Sequence, residues 1–248
     1  MVHIYGHSWP VRWGNQGDRK EILVYSNCDE VELFMNGVSQ GVKKRNSQDY
    51  PAAGLRWNCV YEEGKKDVIA FDPADRGELL YQQLTAKGFH VAAICLTHGH
   101  FDHIWGVEGL KKCSGARVYA YEGEKELCES DSLNVSRDVG RPCTVTPDVL
   151  LKDGQKVEIA GMQFQVIATP GHTKGSCCYY FEEAGVLLSG DTLFQDSVGR
   201  TDLPTGSMSA LVRSVREKLM VLPDDVTVYP GHGECTSIGH ERKYNAFL

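Results

Sequence analysis

The chain has 248 residues, of which 42% are hydrophobic, 24% charged and 9% aromatic. This composition is typical of a globular protein and excludes a disordered, collagen-like or coiled-coil chain. The net charge of -7 argues against a general affinity for nucleic acid or anionic membranes. No apolar run reaches the roughly 18 residues that a membrane-spanning helix needs.

The cysteines indicate the redox compartment. They number nine, which is odd, and form no C-x-x-C pair, so a disulfide framework is not expected. The N-terminal segment has neither the basic start nor the apolar stretch of a signal peptide. We therefore expect a reduced, cytoplasmic protein.

The composition changes near residue 67. Residues 1–70 carry nine Lys and Arg against nine Asp and Glu, so the remainder carries the whole charge of -7. Three of the four tryptophans also lie in this first part. We predict a β-rich fragment over 1–60, a seam over 61–66 and a separate α/β domain over 67–248.

The first part is predicted to form strands at 21–27, 29–35 and 38–44. Asn36-Gly37 favours a type I′ hairpin turn, since both central residues of that turn need positive φ. The second part alternates strands and helices. Strands are predicted over 67–72, 91–97, 117–121, 156–159, 162–169, 176–182, 185–189 and 226–229. Helices are predicted over 76–87, 103–113, 122–130 and 207–220. This mixture favours a layered α/β sandwich.

A cluster of metal-ligand residue types follows the strand at 91–97. The run Thr97-His98-Gly99-His100-Phe101-Asp102-His103 places four potential ligands within six residues of a turn. Alternate side chains of such a turn can converge on one point. The competing interpretation is a polar strand-to-helix turn capped by Asp102, but three adjacent imidazoles are a poor way to build a cap.

Three further loops have the same setting. His172 in Pro170-Gly-His-Thr, Asp191 in Ser189-Gly-Asp-Thr and His232 in Pro230-Gly-His-Gly each follow an apolar strand on a glycine-containing loop. Loops just past the ends of strands are the usual position for chemistry on a rigid scaffold. A lone residue of this kind is more often a turn residue, but together with the histidine cluster they predict a metal site.

These blocks resemble the metallo-β-lactamase superfamily, and within it the small glyoxalase II-like hydrolases. Supporting blocks are Gly199-Arg-Thr-Asp-Leu-Pro and the closing Glu241-Arg-Lys-Tyr-Asn-Ala-Phe-Leu. The resemblance runs from about Asp67 to Leu248. It implies an α/β fold, an αββα sandwich, with the N-terminal β-rich segment in place of its first strands and a dinuclear metal site at one edge.

The resemblance also implies a role for each candidate ligand. By this resemblance, His98, His100 and His172 hold the first metal. Asp102, His103 and His232 hold the second metal, and Asp191 bridges the two. Asp102 and Asp191 are the carboxylates of this set and are the predicted catalytic residues.

Imidazole and carboxylate ligands suit two divalent metal ions, zinc first, with iron or manganese as alternatives. Two such ions can lower the pKa of a shared water to about 7, so that the resulting hydroxide attacks an electrophilic carbonyl. The lack of cysteine among the ligand positions argues against a lactamase with a thiolate on its second zinc. Cys177, Cys178 and Cys235 are interpreted as small hydrophobic residues, and Ser176 and Tyr229 as candidates for orienting the ligands. His90 is interpreted as a surface residue.

Complete glyoxalase II enzymes resemble this chain except for a C-terminal helical domain that helps to bind glutathione. The chain ends soon after the His232 loop, so glutathione thioesters are not the expected substrates. Nuclease members of the superfamily need basic RNA-binding surface, which is not visible in the sequence.

Residues 2–60 resemble another family. The blocks His3-Ile-Tyr-Gly-His-Ser-Trp9-Pro and Tyr25-Ser-Asn-Cys-Asp-Glu-Val-Glu-Leu-Phe-Met-Asn-Gly are similar to the immunoglobulin-like module of family 2 glycoside hydrolases (β-galactosidases). The fragment is shorter than the roughly 100 residues of such a sandwich. We therefore interpret the chain as a fusion, natural or engineered. Its foreign strands would cover a sheet edge or form a homodimer.

Three functions follow from the sequence. The first is a dinuclear metal-dependent hydrolase of small esters, thioesters or lactones. The alternatives are a metal-dependent hydrolase of a sugar derivative, glycoside or β-lactam, and a carbohydrate-binding or structural protein in which Trp9, Trp13 and Trp57 stack on sugars. The expected partner is a small-molecule substrate, without nucleic acid or membrane.

Overall fold

The computed structural model describes residues 2–4, 19–26, 30–35, 38–44, 55–60 and 66–248. The chain divides into two compact units, Met1–Lys66 and Asp67–Leu248. In the described ranges, no helix combines the length and the apolar composition needed to cross a bilayer.

The described residues of the N-terminal unit form five strands. They are β1 (Val2–Ile4), β2 (Arg19–Ser26), β3 (Glu30–Met35), β4 (Val38–Lys44) and β5 (Leu55–Val60). Of these, β2, β3 and β4 match the predicted strands, and β1 and β5 were not predicted. Strands β1, β2 and β5 form an antiparallel sheet in that order, and β3 pairs with β4 in an antiparallel hairpin. The predicted turn at Asn36-Gly37, the tryptophans Trp9 and Trp13 and seam residues 61–65 lie outside the described residues.

Trp57 belongs to the core of the N-terminal unit. Only 3% of its surface is exposed, and its indole Nε1 donates a hydrogen bond to the carbonyl oxygen of Gly41 at 3.0 Å. It packs in a small apolar cluster with Leu33, Val31 and Leu55. A ring this deeply buried cannot stack on a sugar, so the sugar-stacking interpretation of Trp57 is wrong.

The second unit contains two large sheets and one small two-stranded sheet. The elements of its first half are β6 (Lys66–Phe71), α1 (Gly77–Ala86), β7 (Phe89–Leu96), α2 (Phe101–Ile104), α3 (Val107–Ser114), β8 (Arg117–Tyr121), α4 (Lys125–Cys128) and β9 (Val149–Leu151). Strands β6 to β9 form a four-stranded sheet in chain order, in which β7, β8 and β9 run parallel.

The second half supplies a six-stranded sheet and two more helices. Its elements are β10 (Lys156–Ile159), β11 (Met162–Ala168), β12 (Cys177–Phe181), β13 (Val186–Gly190), β14 (Leu193–Phe194), β15 (Ser197–Val198), α5 (Met208–Ser214), β16 (Thr227–Pro230), β17 (Thr236–Ser237) and α6 (Ile238–Tyr244). The sheet order is β10-β11-β12-β13-β16-β17, and only its β13–β16 pair is parallel.

Three apolar cores show how these layers stack. One core packs α1 and α3 on the four-stranded sheet, a second lies between the two sheets, and a third packs α5 and α6 on the six-stranded sheet. Strand β12 shows the alternation that this stacking requires, since successive side chains of a strand point to opposite faces. Cys177 and Tyr179 join the core between the sheets, whereas Cys178 and Tyr180 join the core under the helices. The αββα sandwich is therefore confirmed.

The predicted helix 103–113 is wrong, because the chain forms two helices there. Helix α2 ends at Ile104 and α3 begins at Val107. At the break, the Gly106 amide donates to the carbonyl oxygen of Pro73 at 2.8 Å. A Cβ at Gly106 would come within 2.5 Å of that same oxygen. This close approach of the β6–α1 loop, a tertiary contact, redirects the backbone.

Other elements differ in length from the predictions. The predicted helix 122–130 is a 3-10 turn over Glu122–Glu124 followed by α4, and the predicted helix 207–220 is α5 continued by a π-helical turn over Val215–Leu219. The short strands β9, β14, β15 and β17 and helix α6 were not predicted. Two-residue strands carry no periodicity that a sequence pattern could show.

Candidate metal centre

The four predicted loops converge at one edge of the sandwich. Strand β7 ends at Leu96 just before His98, and β11, β13 and β16 end shortly before the other three candidate blocks. Those blocks contain His172, Asp191 and His232. The rigid sheets thus fix where each loop starts, and the loops bring all seven candidate side chains together.

The first cluster consists of His98, His100 and His172. One ring nitrogen of each lies within 4.8 Å of the others, and all three side chains are buried. His100 Nδ1 is 2.9 Å from His172 Nε2.

The hydrogen bonds of this cluster fix the tautomers of its rings. The Thr97 hydroxyl donates its single proton to Asp72 at 2.6 Å, so the contact of 3.1 Å to His98 Nδ1 must be donated by the imidazole. His172 Nδ1 donates to the carbonyl oxygen of Arg200 at 2.7 Å. His172 Nε2 is then an acceptor, so its contact of 2.9 Å with His100 Nδ1 is donated by His100. Each ring therefore keeps an unprotonated Nε2, the form that binds a metal ion.

Electrostatics keep the same three rings neutral. Burial, with the neighbouring histidines, lowers the pKa of His98 well below its ordinary value and that of His100 to about 3. Burial also lowers the pKa of His172, although Asp191 acts in the opposite direction. Neutral imidazoles with free lone pairs are suited to a cation.

The second cluster consists of Asp102, His103 and His232. Helix α2 carries the first two residues, and the β16–β17 loop carries His232. His232 Nε2 lies 3.2 Å from Asp102 Oδ2 and 3.3 Å from His103 Nε2. The His232 side chain is 56% exposed, so this cluster is open to solvent on the His232 side, whereas the first is buried.

Asp191 lies between the two clusters. Its Oδ1 is 3.4 Å from His103 Nε2, and its Oδ2 is 3.7 Å from both His172 Nε2 and His232 Nε2. Burial raises its pKa, but the nearby His103 outweighs burial and leaves the pKa lowered. An ionised carboxylate among five imidazoles is suited to contact two cations at once.

Three buried atoms at this junction make no hydrogen bond within the described structure, namely His98 Nε2, His100 Nε2 and Asp191 Oδ1. A buried polar atom without a hydrogen-bond partner costs free energy, and native protein interiors contain few such atoms. Imidazole nitrogens and a carboxylate oxygen are ligands of divalent metal ions, so a bound ion would supply the missing partners.

Asp72 supports the second cluster and was missed in the sequence. It accepts from the Thr97 amide at 2.7 Å and from the Thr97 hydroxyl, and its Oδ2 lies 3.0 Å from His103 Nδ1. Burial lowers the pKa of His103, but Asp191 and Asp72 outweigh burial and raise it to about 10. The signal was present, because Asp72 follows a buried strand just as the ligand blocks do.

Glu124 was also missed. This carboxylate is 1% exposed and accepts from the Gly99 amide and the Thr173 hydroxyl, each at 2.9 Å. Burial raises its pKa to about 7, although these hydrogen bonds act in the opposite direction. In the sequence it lies in the polar run Glu122-Gly-Glu-Lys, which is typical of an exposed helix start.

The weaker candidates have different outcomes. Ser176 does orient the His172 loop, since its hydroxyl accepts from the Thr173 amide at 3.0 Å. Tyr229 is 45% exposed and lines a cavity of about 290 Å³ that also borders Asp102, His103 and His232. Cys177 and Cys178 are buried in apolar cores, as interpreted. All seven cysteines of the second unit are free, and His90 is on the surface, paired with Asp67.

A fourth group of potential ligands, Asp196, His240 and Glu241, lies apart from these clusters. Glu241 accepts from the Asp196 amide, the Thr236 hydroxyl and the Asn245 side-chain amide. Both of its oxygens are thus satisfied by the protein, which indicates a structural carboxylate.

Comparison with known proteins identifies the family of this chain. The family model described as "Metallo-beta-lactamase superfamily" matches residues 57–232, and a model for a domain of unknown function (DUF4982) matches residues 17–76. The second match does not identify an immunoglobulin-like glycoside hydrolase module, so the origin predicted for the N-terminal segment stays a proposal.

Similar proteins agree with the first match. Hydroxyacylglutathione hydrolase GloC of Haemophilus influenzae is 33% identical over 211 residues, covering 82% of this chain and 98% of that protein. The BLEG-1 B3 metallo-beta-lactamase has a TM-score of 0.71 and 40% identity over 76% of this chain and 91% of its own. TTHA1623 in a di-iron-bound form has a TM-score of 0.66 and 28% identity, covering 97% of this chain and 100% of its own. The chain belongs to the metallo-beta-lactamase superfamily and is a metal-dependent hydrolase.

Proposed function

We propose that the chain is a dinuclear enzyme that hydrolyses a small thioester, ester or lactone. The observation that carries this proposal is the convergence of seven side chains on a junction where three buried atoms lack hydrogen-bond partners. His98, His100 and His172 would hold one ion, Asp102, His103 and His232 the other, and Asp191 would contact both. When bound, two divalent ions lower the pKa of a shared water and stabilise negative charge on the substrate oxygen.

The chain's own residues would orient these ligands. Thr97 and the Arg200 carbonyl oxygen hold His98 and His172 with Nε2 unprotonated. Asp72 holds His103 through Nδ1 and so aims its Nε2 at Asp191. Such outer partners raise the basicity of the ligands and fix their direction. Asp102 and Asp191, the predicted catalytic carboxylates, contribute the negative charge that two dications require.

The metal itself is proposed only as a class. Five imidazoles and two carboxylates suit zinc, and the same donors accept iron or manganese. The di-iron-bound neighbour supports iron as strongly as the ligand types support zinc. Cysteine is absent from all seven positions, which disfavours a copper(I) site.

The thioester class is supported by a relative. GloC is named a hydroxyacylglutathione hydrolase, and the alignment covers 98% of its length with only 211 residues. A relative of about this length carries that name, so a further helical domain is not required for glutathione thioesters to be substrates. The cavity of about 290 Å³ beside Asp102, His103 and His232 is lined partly by Phe71, Tyr229 and other apolar groups. It would receive a small acyl group.

The second candidate substrate class is the β-lactam. The BLEG-1 B3 metallo-beta-lactamase is 40% identical, a higher identity than that of GloC. The absence of cysteine ligands separates this chain from lactamases with a thiolate on zinc, but not from lactamases as a class. Both substrates present a strained or activated acyl carbon to water, so the walls of the pocket decide between them.

The N-terminal unit enters the proposal only as a structural element. The buried Trp57 removes one of three tryptophans from the carbohydrate-binding alternative. Covering of a sheet edge, a homodimer and the cytoplasmic location all stay predictions.

The experiment is a substrate panel on the purified full chain. Thioester, lactone, β-lactam, phosphodiester and glycoside are assayed with and without chelator, and with Asp191→Ala. Asp196→Asn is the control, because Asp196 lies only five residues further on, in the β14–β15 turn, faces a histidine at 2.7 Å and has φ of 55°, which asparagine accepts. We expect thioester hydrolysis that chelator and Asp191→Ala abolish and Asp196→Asn preserves. Hydrolysis of the β-lactam alone would select the second candidate, and chelator-resistant activity would contradict both.

A further inference from the structure

A short segment of the chain contacts both of the loops that carry His98, His100 and His172, which we call the three-histidine cluster. This segment, residues 122–128, consists of the 3-10 turn over Glu122–Glu124 and helix α4. It carries none of the seven candidate ligands. From it, the Glu124 carboxylate reaches the Gly99 amide, between His98 and His100, and the Thr173 hydroxyl, next to His172.

The 122–128 segment also packs directly against both loops. A Cβ on Gly99 would lie 2.7 Å from Cys128 Sγ and 3.0 Å from Leu127 Cδ2. A Cβ on Gly175 would overlap the backbone of Gly123 and of Glu124. Glycine at both positions therefore lets each ligand loop approach the segment more closely than any other residue would allow.

Every group around the Glu124 carboxylate is a donor. The amides of Gly99 and Gly175 and the hydroxyl of Thr173 all donate to it. The Ser176 hydroxyl, 2.6 Å from Thr173 Oγ1, donates in turn, since the Thr173 proton is already used. Once ionised, a carboxylate offers acceptors alone, whereas an amide at position 124 would turn one NH2 group towards a donor.

We propose that Glu124 is a positioning residue that sets the distance between His98 and His100 on one loop and His172 on the other. In this way it determines the metal affinity of the three-histidine cluster. The inference rests on the proposed function, in which that cluster binds one of two ions. The Asp102, His103 and His232 cluster has no contact with Glu124 in the described structure and would keep its affinity.

Glu241 is a matched control for the burial of a carboxylate. It is likewise buried and accepts three hydrogen bonds, but from Asp196, Thr236 and Asn245. None of these donors is on the Gly99 or Thr173 loop. We therefore use Glu241→Gln as a control for the loss of a buried carboxylate that does not contact the three-histidine cluster.

The experiment measures zinc and cobalt dissociation constants by competition with a chromophoric chelator, on the full chain. Each cluster is isolated in turn by His232→Ala, which leaves the three-histidine cluster, or by His100→Ala, which leaves the other. In both backgrounds we compare Glu124→Gln with Glu241→Gln. The cobalt absorption spectrum reports the geometry of the ligands, which global stability alone does not change.

We expect Glu124→Gln to weaken binding about 10- to 100-fold in the His232→Ala background, the usual effect of an outer partner of a ligand. It changes the cobalt spectrum there and leaves affinity unchanged in the His100→Ala background. Glu241→Gln leaves both affinities unchanged. Equal losses in the two backgrounds, or a matching loss in Glu241→Gln, would show that Glu124 is only structural.

A second pair of variants tests the same inference if Glu124→Gln fails to fold. Thr173→Val removes the hydroxyl at constant shape, and Thr173→Ser keeps it. We expect weaker metal binding with valine and recovery with serine. If metal affinity is unchanged in both Thr173 variants and in any folded Glu124 variant, the role of Glu124 is overturned but the proposed function is not. An unmodified chain that binds no metal overturns the proposed function as well.

Discussion

Replacement of Glu124 by glutamine gives a prediction for the pH dependence of stability in the metal-free protein. Burial raises the pKa of Glu124 from an ordinary 4.5 to about 7 in the folded state. Each tenfold change in an acid dissociation constant is worth about 1.4 kcal/mol. The raised pKa therefore corresponds to about 3 kcal/mol of folding free energy that depends on pH.

The direction of the effect follows from proton counting. Between pH 4.5 and about 7 the folded state keeps the proton on Glu124, whereas the unfolded chain releases it. The folded state then binds more protons, so the free energy of unfolding falls as the pH rises through this interval. Glutamine cannot titrate, and the hydrogen bonds it loses lower stability by an amount that does not depend on pH.

The assay is urea denaturation of both proteins in excess chelator, followed by circular dichroism from pH 4.5 to pH 8. We expect the stability of the wild-type protein relative to Glu124→Gln to fall by about 3 kcal/mol across this range. A difference that stays constant with pH would show that the carboxylate titrates normally. A difference that grows with pH would show that the hydrogen bonds from Gly99 and Thr173 dominate over burial.

Three further predictions concern the site and the cysteines. Asp72→Asn turns an amide NH2 towards His103 Nδ1, so we expect about 10- to 100-fold weaker metal binding by chelator competition, and an unchanged affinity would remove Asp72 from the site. Gly231→Ala places a methyl group against Asp191 Oδ1 and His103, so kcat/KM should fall on the order of 100-fold with an unchanged circular dichroism spectrum. In the folded protein, iodoacetamide should modify the exposed Cys113 and Cys235 before any buried cysteine of the second unit, as peptide mass spectrometry would show. Early labelling of Cys177 or Cys178 would contradict their assignment to the apolar cores.

The candidate ligands could be predicted from sequence because their signal is local. Four of them lie within one turn, and His172, Asp191 and His232 each follow an apolar strand that ends at the same edge. Strand ends in a layered α/β fold are brought together by the sheets themselves. A sequence pattern therefore carried most of the information about where these side chains meet.

The outer partners could not be predicted in the same way. Glu124 lies among charged residues, and nothing local shows that the Gly99 and Thr173 loops will cover it. The break at Gly106 likewise depends on the Pro73 carbonyl oxygen, 33 positions earlier. Both features come from contacts between distant segments, which neither periodicity nor spacing records. Asp72 is different, because it follows a buried strand just as the ligand blocks do and could therefore have been predicted.

The central claim is that two ions held by these seven residues hydrolyse an acyl bond. It is tested most directly by the rate of thioester hydrolysis as zinc or iron is added stepwise to chelator-treated protein. We expect no activity without metal, a rate that rises as metal is added, and a plateau at two equivalents per chain. Full activity without added metal, a plateau at one equivalent, or no thioester hydrolysis at saturation would contradict it.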